Sequence, residues 1–180
     1  MTSGLVVLAI ALVFAASGWQ SSWPTRIRLG LVAITGALLV LAASLALWDR
    51  VGAPDARAVA VALAALLAVA GGGPLTMSVL RLVDGDRPSS DPDSVEGAGR
   101  TLQGGVWIGV LERIAIYTTL VAGWPEGMAV VLALKGVARY PEIRGSETVG
   151  AQHGVAERFI IGTFVSVLWA AACAGIALTW

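Results

Sequence analysis

A run of 20 residues from Leu29 to Trp48 contains no charged side chain, and it constrains this chain more than any other feature. A helix needs about 20 apolar residues to cross the hydrocarbon core of a bilayer, because each residue advances the helix by about 1.5 Å. The run therefore predicts a membrane-spanning helix.

The composition extends that prediction to the whole chain. Hydrophobic residues make up 57% and charged residues 13% of the 180 positions, whereas soluble domains carry about 25% charged residues. Six helices of membrane-crossing length would use nearly the whole chain. We therefore predict an all-α, polytopic integral membrane bundle of about six transmembrane helices in one domain, 1–180. The predicted spans are 4–18, 29–48, 58–80, 104–122, 126–139 and 157–179.

Two segments between the predicted spans are open to interpretation. The third apolar run contains Gly71-Gly72-Gly73-Pro74, which predicts either a kink or unwound turn, as at some transporter sites, or a helix that ends at Gly71. Residues 84–100 are rich in Asp, Ser, Pro and Gly, and their carboxylates lack calcium-loop spacing. We expect a solvated, partly disordered loop there.

Several functional classes find no support in the sequence. The net charge is zero, so no basic surface suggests nucleic acid. The single cysteine, Cys173, lies in an apolar run and is expected to be a core residue. The single histidine, His153, falls in a polar connection (140–154) and is expected to be a solvated loop residue. No metal site or cofactor is predicted.

Positive charges are distributed unevenly over the predicted connections. Nine Lys or Arg residues fall at the first, third and fifth connections and the adjoining helix ends, against two on the opposite face. Cytoplasmic loops carry the excess of Lys and Arg in membrane proteins. We therefore expect a multi-pass protein of the inner (plasma) membrane with both termini outside the cytoplasm.

Two charged residues, Glu112 and Arg113, lie inside the fourth predicted span. Glu112 follows Gly104 by eight residues, which places it about 12 Å into the span. A charge at the bilayer centre costs at least about 2.5 kcal/mol. Each residue therefore needs a partner, or Glu112 must take up a proton.

Helical spacing predicts where these two side chains point. Gly105, Gly109 and Glu112 share one stripe, and the two glycines form a GxxxG step that lets another helix approach closely. We therefore expect the carboxylate in a helix–helix seam. Arg113 shares the neighbouring face with Tyr117, whose ring or hydroxyl is a candidate partner.

The fifth and sixth predicted spans supply further charges. Lys135 and Arg139 project from one face of the fifth helix, and Glu112 is expected to pair with one of them. The helix dipole alone explains cations near a helix end and Glu157 near a helix start, but it does not explain Glu112 or Arg113. A structural ion-pair network and a functional polar site remain equal alternatives.

One pattern extends over residues 104–180. It consists of GVWIGVLER (Gly105–Arg113), KGVAR (Lys135–Arg139), and Glu157 followed by Ile161-Gly162-Thr163 and Ser166. In this pattern the chain resembles the C-terminal helices of a family of uncharacterised bacterial membrane proteins. The resemblance brings no activity, but it implies one polar unit made of Glu112, Arg113, Lys135, Arg139, Glu157, Gly162 and Thr163. Arg158 departs from the pattern, which has an aromatic residue there.

Three functions are compatible with these features. The first is a carrier, channel or binding protein whose cluster holds a small anion or a lipid headgroup, since the cluster with Arg158 carries a net charge of +2. The second is a scaffold subunit of a larger membrane complex, either a homo-oligomer or an assembly with another membrane protein. The third, a membrane-embedded lipid-modifying enzyme, is weakest because no zinc, serine-hydrolase or phosphate-loop signature is present. Hydroxyls such as those of Thr163 and Ser166 usually bond backbone carbonyls in membrane helices.

Overall fold

The computed structural model of the chain describes residues 2–19, 24–48, 54–84, 105–144 and 149–180. These residues form six α-helices and, within the described ranges, no strand, which confirms the predicted all-α class. The helices are α1 (Thr2–Ser17), α2 (Thr25–Trp48), α3 (Pro54–Asp84), α4 (Gly105–Val121), α5 (Glu126–Arg144) and α6 (Val149–Ala177).

The length and composition of the helices support the prediction of about six membrane spans only in part. Three segments are long and apolar enough to cross a membrane: Arg26–Ala46, Ala56–Val83 and Ala156–Ala177. The apolar segment of α1, Ser3–Ser17, is shorter. The 17 residues of α4 include Glu112 and Arg113, and α5 ends in a charged segment. The described helices therefore give three clear candidates, not six.

The central helix is α3, which packs most extensively on α6 and also contacts α1, α2 and α4. In its first half, Ala60, Ala64 and Ala68 are fully buried at intervals of four residues. Such a stripe of small side chains lets neighbouring helices approach closely. The core around this stripe includes Leu8, Ala11, Ala42, Leu67, Cys173 and Ala174, so the predicted core position of Cys173 is confirmed.

The segment Gly71–Pro74 lies within α3, which runs through it without interruption. The expectation that the helix ends at Gly71 is therefore wrong, and no unwound turn occurs. Each glycine faces a different incoming side chain: a Cβ would overlap Trp169 of α6 at the first, Arg113 of α4 at the second and Trp19 at the third. Successive helical residues point about 100° apart, so three glycines open three sides of one helix to three neighbours.

Pro74 removes a backbone donor from α3, and Trp19 replaces it. A proline at this position leaves the carbonyl of Ala70 without its usual donor four residues ahead. The indole Nε1–H of Trp19 donates to that carbonyl oxygen at 2.7 Å. Two further aromatic donors reach α3 carbonyls, Tyr117 to Val61 at 2.7 Å and Trp169 to Leu67 at 3.1 Å. The helix is thus held from three sides by hydrogen bonds to its backbone.

The polar connection predicted over 140–154 is mostly helical. α5 continues to Arg144, and α6 begins at Val149. His153 therefore lies in a helix rather than in a loop. The polar residues before the apolar span of α6 contain no proline that would stop the helix, so α6 can begin among them. Residues 85–100, most of the predicted hydrophilic loop, lie outside the described residues, and that expectation stays a prediction.

Candidate functional site

A cavity of about 430 Å³ occupies one end of the helical bundle. It is lined by residues just after α1, the start of α2, the second half of α3, the first half of α4, and the middle of α5 and α6. Among the described residues the lining contains five cationic side chains and one carboxylate: Arg28, Arg81, Arg113, Lys135, Arg158 and Glu112. Each of the helices α2 to α6 contributes one of the cations.

A tight turn places the charges of α4 and α5 at the same height. Gly123, with φ of +74°, follows α4, and this left-handed conformation suits glycine as a helix terminator. The next backbone amide, that of Trp124, donates to the carbonyl of Thr119 at 2.8 Å. Glu112 lies nine residues before the end of α4, and Lys135 lies nine residues after the start of α5. Both are therefore about 14 Å from the turn along antiparallel helices.

Glu112 and Lys135 form an ion pair in which the Nζ of Lys135 donates to one carboxylate oxygen. The side chains are only 11% and 15% exposed respectively. The Nζ also lies 5.6 Å from the centre of the Phe159 ring, within range of a cation–π interaction. Of the two partners expected for Glu112, the structure therefore places Lys135 at the carboxylate. The side chain of Arg139 lies outside the described part of the chain.

Arg113 is the most deeply buried charge of the cavity wall, with 3% of its surface exposed. Its stem crosses the backbone of Gly72 in α3, and its Nη1 donates to the hydroxyl of Ser166 in α6 at 3.3 Å. Its Nε has no hydrogen-bond partner among the described residues. No salt bridge joins the guanidinium to a described carboxylate. The carboxylate of Glu112 is near enough to attract it electrostatically, but its ion pair is with Lys135.

The hydroxyl groups of α6 differ from those of the other helices. In α2 and α3, four hydroxyls donate to the carbonyl four residues earlier, at 2.7–2.9 Å: those of Thr35, Ser44, Thr76 and Ser78. This is the usual arrangement for Ser and Thr in helices. Ser166 instead accepts from Arg113, and the Thr163 hydroxyl is buried without a partner among the described residues. Both line the cavity.

Arg158, Glu157 and Gly162 take different places in the structure. Arg158, which departs from the family pattern, is buried and lines the cavity together with Gly162. Glu157 is exposed and does not line it. Glu157 points away from its buried neighbour Arg158 because adjacent helical residues diverge by about 100°.

The two glycines of the GxxxG step border the cavity and do not contact another described helix. A Cβ at Gly105 would meet no heavy atom within 4 Å, and one at Gly109 would lie 3.2 Å from the Nη1 of Arg113. The expected close approach of another helix at these glycines is therefore not found in the described structure. They leave space for the Arg113 side chain and the cavity. The Tyr117 hydroxyl bonds the carbonyl of Val61, not the guanidinium.

Sequence reasoning missed three residues of the site. Arg28 and Arg81 were considered only among the nine Lys and Arg residues that indicate the membrane orientation. Gly72 was considered only as a residue that interrupts a helix. The signal that points to Gly72 is the run of consecutive glycines in a long apolar helix, because such a run opens a helix surface to large side chains. No comparable local signal marks Arg28 or Arg81.

Comparison of the chain with protein-family models, with curated proteins and with solved structures finds no match. The resemblance of residues 104–180 to a bacterial membrane family therefore stays a prediction.

Proposed function

We propose that the chain is an integral membrane protein whose cavity binds, or carries across the membrane, a small anion or the anionic headgroup of a lipid. The proposal rests on the surroundings of Arg113. A guanidinium that is 3% exposed has one hydrogen bond to a neutral hydroxyl and no ion pair with a described carboxylate. It borders a cavity of about 430 Å³.

The energetics of burial explain why this arrangement calls for an anion. Removing a charge from water costs several kcal/mol unless a counter-charge and hydrogen bonds compensate it. A guanidinium offers five donors and binds carboxylates and phosphates in a forked geometry. An anion in the cavity would supply both the counter-charge and the missing acceptors.

The scaffold alternative predicts a different site. A purely structural cluster is expected to be dry and fully paired, as Glu112 and Lys135 nearly are. The cavity beside Arg113 has the size of a typical small-molecule site, about 300–1,000 Å³. That volume and the unpaired guanidinium favour binding over scaffolding. No feature of the described residues favours an enzyme.

The membrane topology is part of the proposal. We propose that all six helices cross the inner membrane, since α4 and α5, with 17 and 19 residues, extend about 26 and 28 Å and nearly match a hydrocarbon core of about 30 Å. The charge bias then puts the cavity end of the bundle on the cytoplasmic side of the membrane. A reporter that is active only in the cytoplasm is expected to show no activity when it is fused after Trp180. Activity of that reporter would contradict the orientation.

Thermal unfolding of the full chain in neutral detergent tests the binding function. An anion that binds the folded state raises the unfolding temperature. We expect anionic phosphate probes (inorganic phosphate, glycerol 3-phosphate or dioctanoyl phosphatidic acid) to stabilise the wild type at constant ionic strength, and dioctanoylglycerol, which is neutral, to have no effect. In Arg113→Gln the stabilisation should disappear.

Arg57→Gln is the matched control, because Arg57 is exposed and lies at the opposite end of α3 from the cavity. It removes the same charge and should respond like the wild type. If no anionic probe stabilises the wild type, or if Arg113→Gln responds as the wild type does, the proposed function is wrong.

A further inference from the structure

Two kinds of side chain line the cavity. Some are cationic or carry hydroxyls, such as Arg113, Arg158 and Thr163 on α4 and α6. Others are apolar, and together we call them the apolar wall: Met77 and Leu80 on α3, Val106 and Ile108 on α4, and Phe159 on α6. A site for a small hydrated ion has no need of the apolar part.

We infer that the ligand is an anionic amphiphile, a lipid whose phosphate headgroup lies at Arg113 and whose acyl chain lies along the apolar wall. This inference rests on the proposed function and narrows its ligand to one chemical class. Phosphate is the headgroup chemistry that matches a buried guanidinium with several free donors.

The volume of the cavity supports an amphiphile over a free ion. The cavity has a volume of about 430 Å³, and a water molecule, with one non-hydrogen atom, takes about 30 Å³ of liquid volume. A phosphate group has only five non-hydrogen atoms, so it would fill a small part of the cavity. A phosphate at Arg113 would leave the remaining volume in contact with apolar side chains. An acyl chain fills such a space favourably because apolar burial is stabilising.

The apolar wall also continues to the outer surface of the bundle. Met77, Val106 and Ile108 line the cavity and are nevertheless 42%, 57% and 38% exposed. These three residues, which we call the apolar margin, border both the cavity and the outside. In a membrane the outside at this level is lipid, so the margin gives an acyl chain a continuous apolar path into the cavity.

Thr163 provides a second anchor for the headgroup that does not depend on charge. Its hydroxyl is buried and, among the described residues, bonds neither the backbone of its own helix nor a side chain. It is three residues before Ser166, so the two share a face of α6. The residue lines the cavity, so a phosphate bound there would offer the acceptor that this hydroxyl lacks.

A series of probes of increasing apolar length tests the inference on the full chain in neutral detergent. The probes are inorganic phosphate, glycerol 3-phosphate, dihexanoyl phosphatidic acid and dioctanoyl phosphatidic acid, with dioctanoylglycerol as the neutral match. The readout is the probe concentration that gives half of the maximal rise in unfolding temperature. Each methylene that becomes buried strengthens binding by up to about fourfold, so we expect the dioctanoyl lipid to act at concentrations at least tenfold lower than glycerol 3-phosphate.

Two variants assign the effect to the cavity. Arg113→Gln should weaken binding of the dioctanoyl lipid more than tenfold. Thr163→Val, a nearly isosteric and uncharged change that is expected to fold, should weaken it about fivefold through the loss of one hydrogen bond. Arg57→Gln should leave it unchanged.

The outcomes separate the inference from the function on which it rests. If glycerol 3-phosphate acts at the same concentrations as the dioctanoyl lipid, the inference is overturned and an anion site remains. It is also overturned if the neutral dioctanoylglycerol stabilises equally well, or if Thr163→Val binds the dioctanoyl lipid like the wild type. If no phosphate probe stabilises the wild type, the anion site itself is refuted.

Discussion

The two halves of α3 pack against their neighbours in different ways. In the first half, the stripe of Ala60, Ala64 and Ala68 is fully buried, and its neighbours are small or apolar residues such as Ala11 and Cys173. We call this region the alanine half. In the second half, from Gly71 to Arg81, which we call the cavity half, the same helix borders the charged cavity from Gly73 onwards.

The comparison shows that small residues serve different ends in the two regions. In the alanine half they bring backbones together, so the space between helices is filled by close approach. In the cavity half the glycines at 71–73 make room for large side chains from three directions: Trp169, Arg113 and Trp19. Close packing there is between a backbone and a side chain, and the helices diverge enough to leave about 430 Å³ between them.

The largest effect is expected when the ion pair of the cavity half is broken. Lys135→Met leaves the carboxylate of Glu112 largely buried and without its cation. Removing one partner of a buried pair costs roughly 3–5 kcal/mol, and residual exposure favours the lower end. The measurement is the free energy of unfolding in detergent, followed by circular dichroism.

The double variant Glu112→Gln/Lys135→Met should recover part of that loss, because no single charge is left behind. Additive losses, with no coupling energy between the two positions, would contradict a direct pair. The cavity half would then owe its stability to the surrounding packing alone.

Overpacking the alanine half should cost somewhat less. Ala64→Leu adds three carbon atoms at a fully buried position in the stripe, and such a change typically costs about 1–3 kcal/mol. The matched control is Ala133→Leu on the exposed face of α5, which should change the unfolding free energy by less than about 0.5 kcal/mol. Equal effects at both positions would show that the alanine half is not tightly packed.

A comparable loss is expected at Gly72, where the added atom would meet one incoming side chain. The Cβ of Gly72→Ala would overlap the stem of Arg113, so the guanidinium must move, at a cost of about 1–3 kcal/mol. Gly36→Ala in α2 is the control, since no heavy atom lies within 4 Å of that Cβ. The control should be neutral or stabilising by up to about 1 kcal/mol, because alanine is the better helix former.

This pair of variants also connects stability to binding. Gly72→Ala should weaken the binding of anionic probes, whereas Gly36→Ala should not. Normal binding in Gly72→Ala would mean that the contact between Arg113 and Gly72 is not needed to position the guanidinium.

The smallest effect is expected from the hydrogen bond between Trp19 and α3. Trp19→Phe removes the donor to the Ala70 carbonyl and should cost about 0.5–1.5 kcal/mol. Pro74→Ala restores a backbone N–H that can bond the same carbonyl. In the Pro74→Ala background, Trp19→Phe should therefore cost less than in the wild type. The same cost in both backgrounds would rule out the replacement of one donor by the other.

The sequence by itself determined the helical class and the hairpin between α4 and α5, but it left the partner of Glu112 open between Lys135 and Arg139. Long apolar runs predicted the helices, and Gly123-Trp124-Pro125 marks the turn between two of them. These features are local, so local patterns are sufficient to find them.

Only the tertiary structure decided that α3 runs unbroken through Gly71–Pro74 and that Arg28 and Arg81 border the same cavity as Arg113. Local propensity argues against a helix at three glycines and a proline. What offsets it is packing by side chains and an indole hydrogen bond that arrive from distant parts of the chain. The same holds for the site: hydropathy along the chain shows where a charge lies in a helix, but whether that charge meets a carboxylate or a cavity depends on which helices pack beside it.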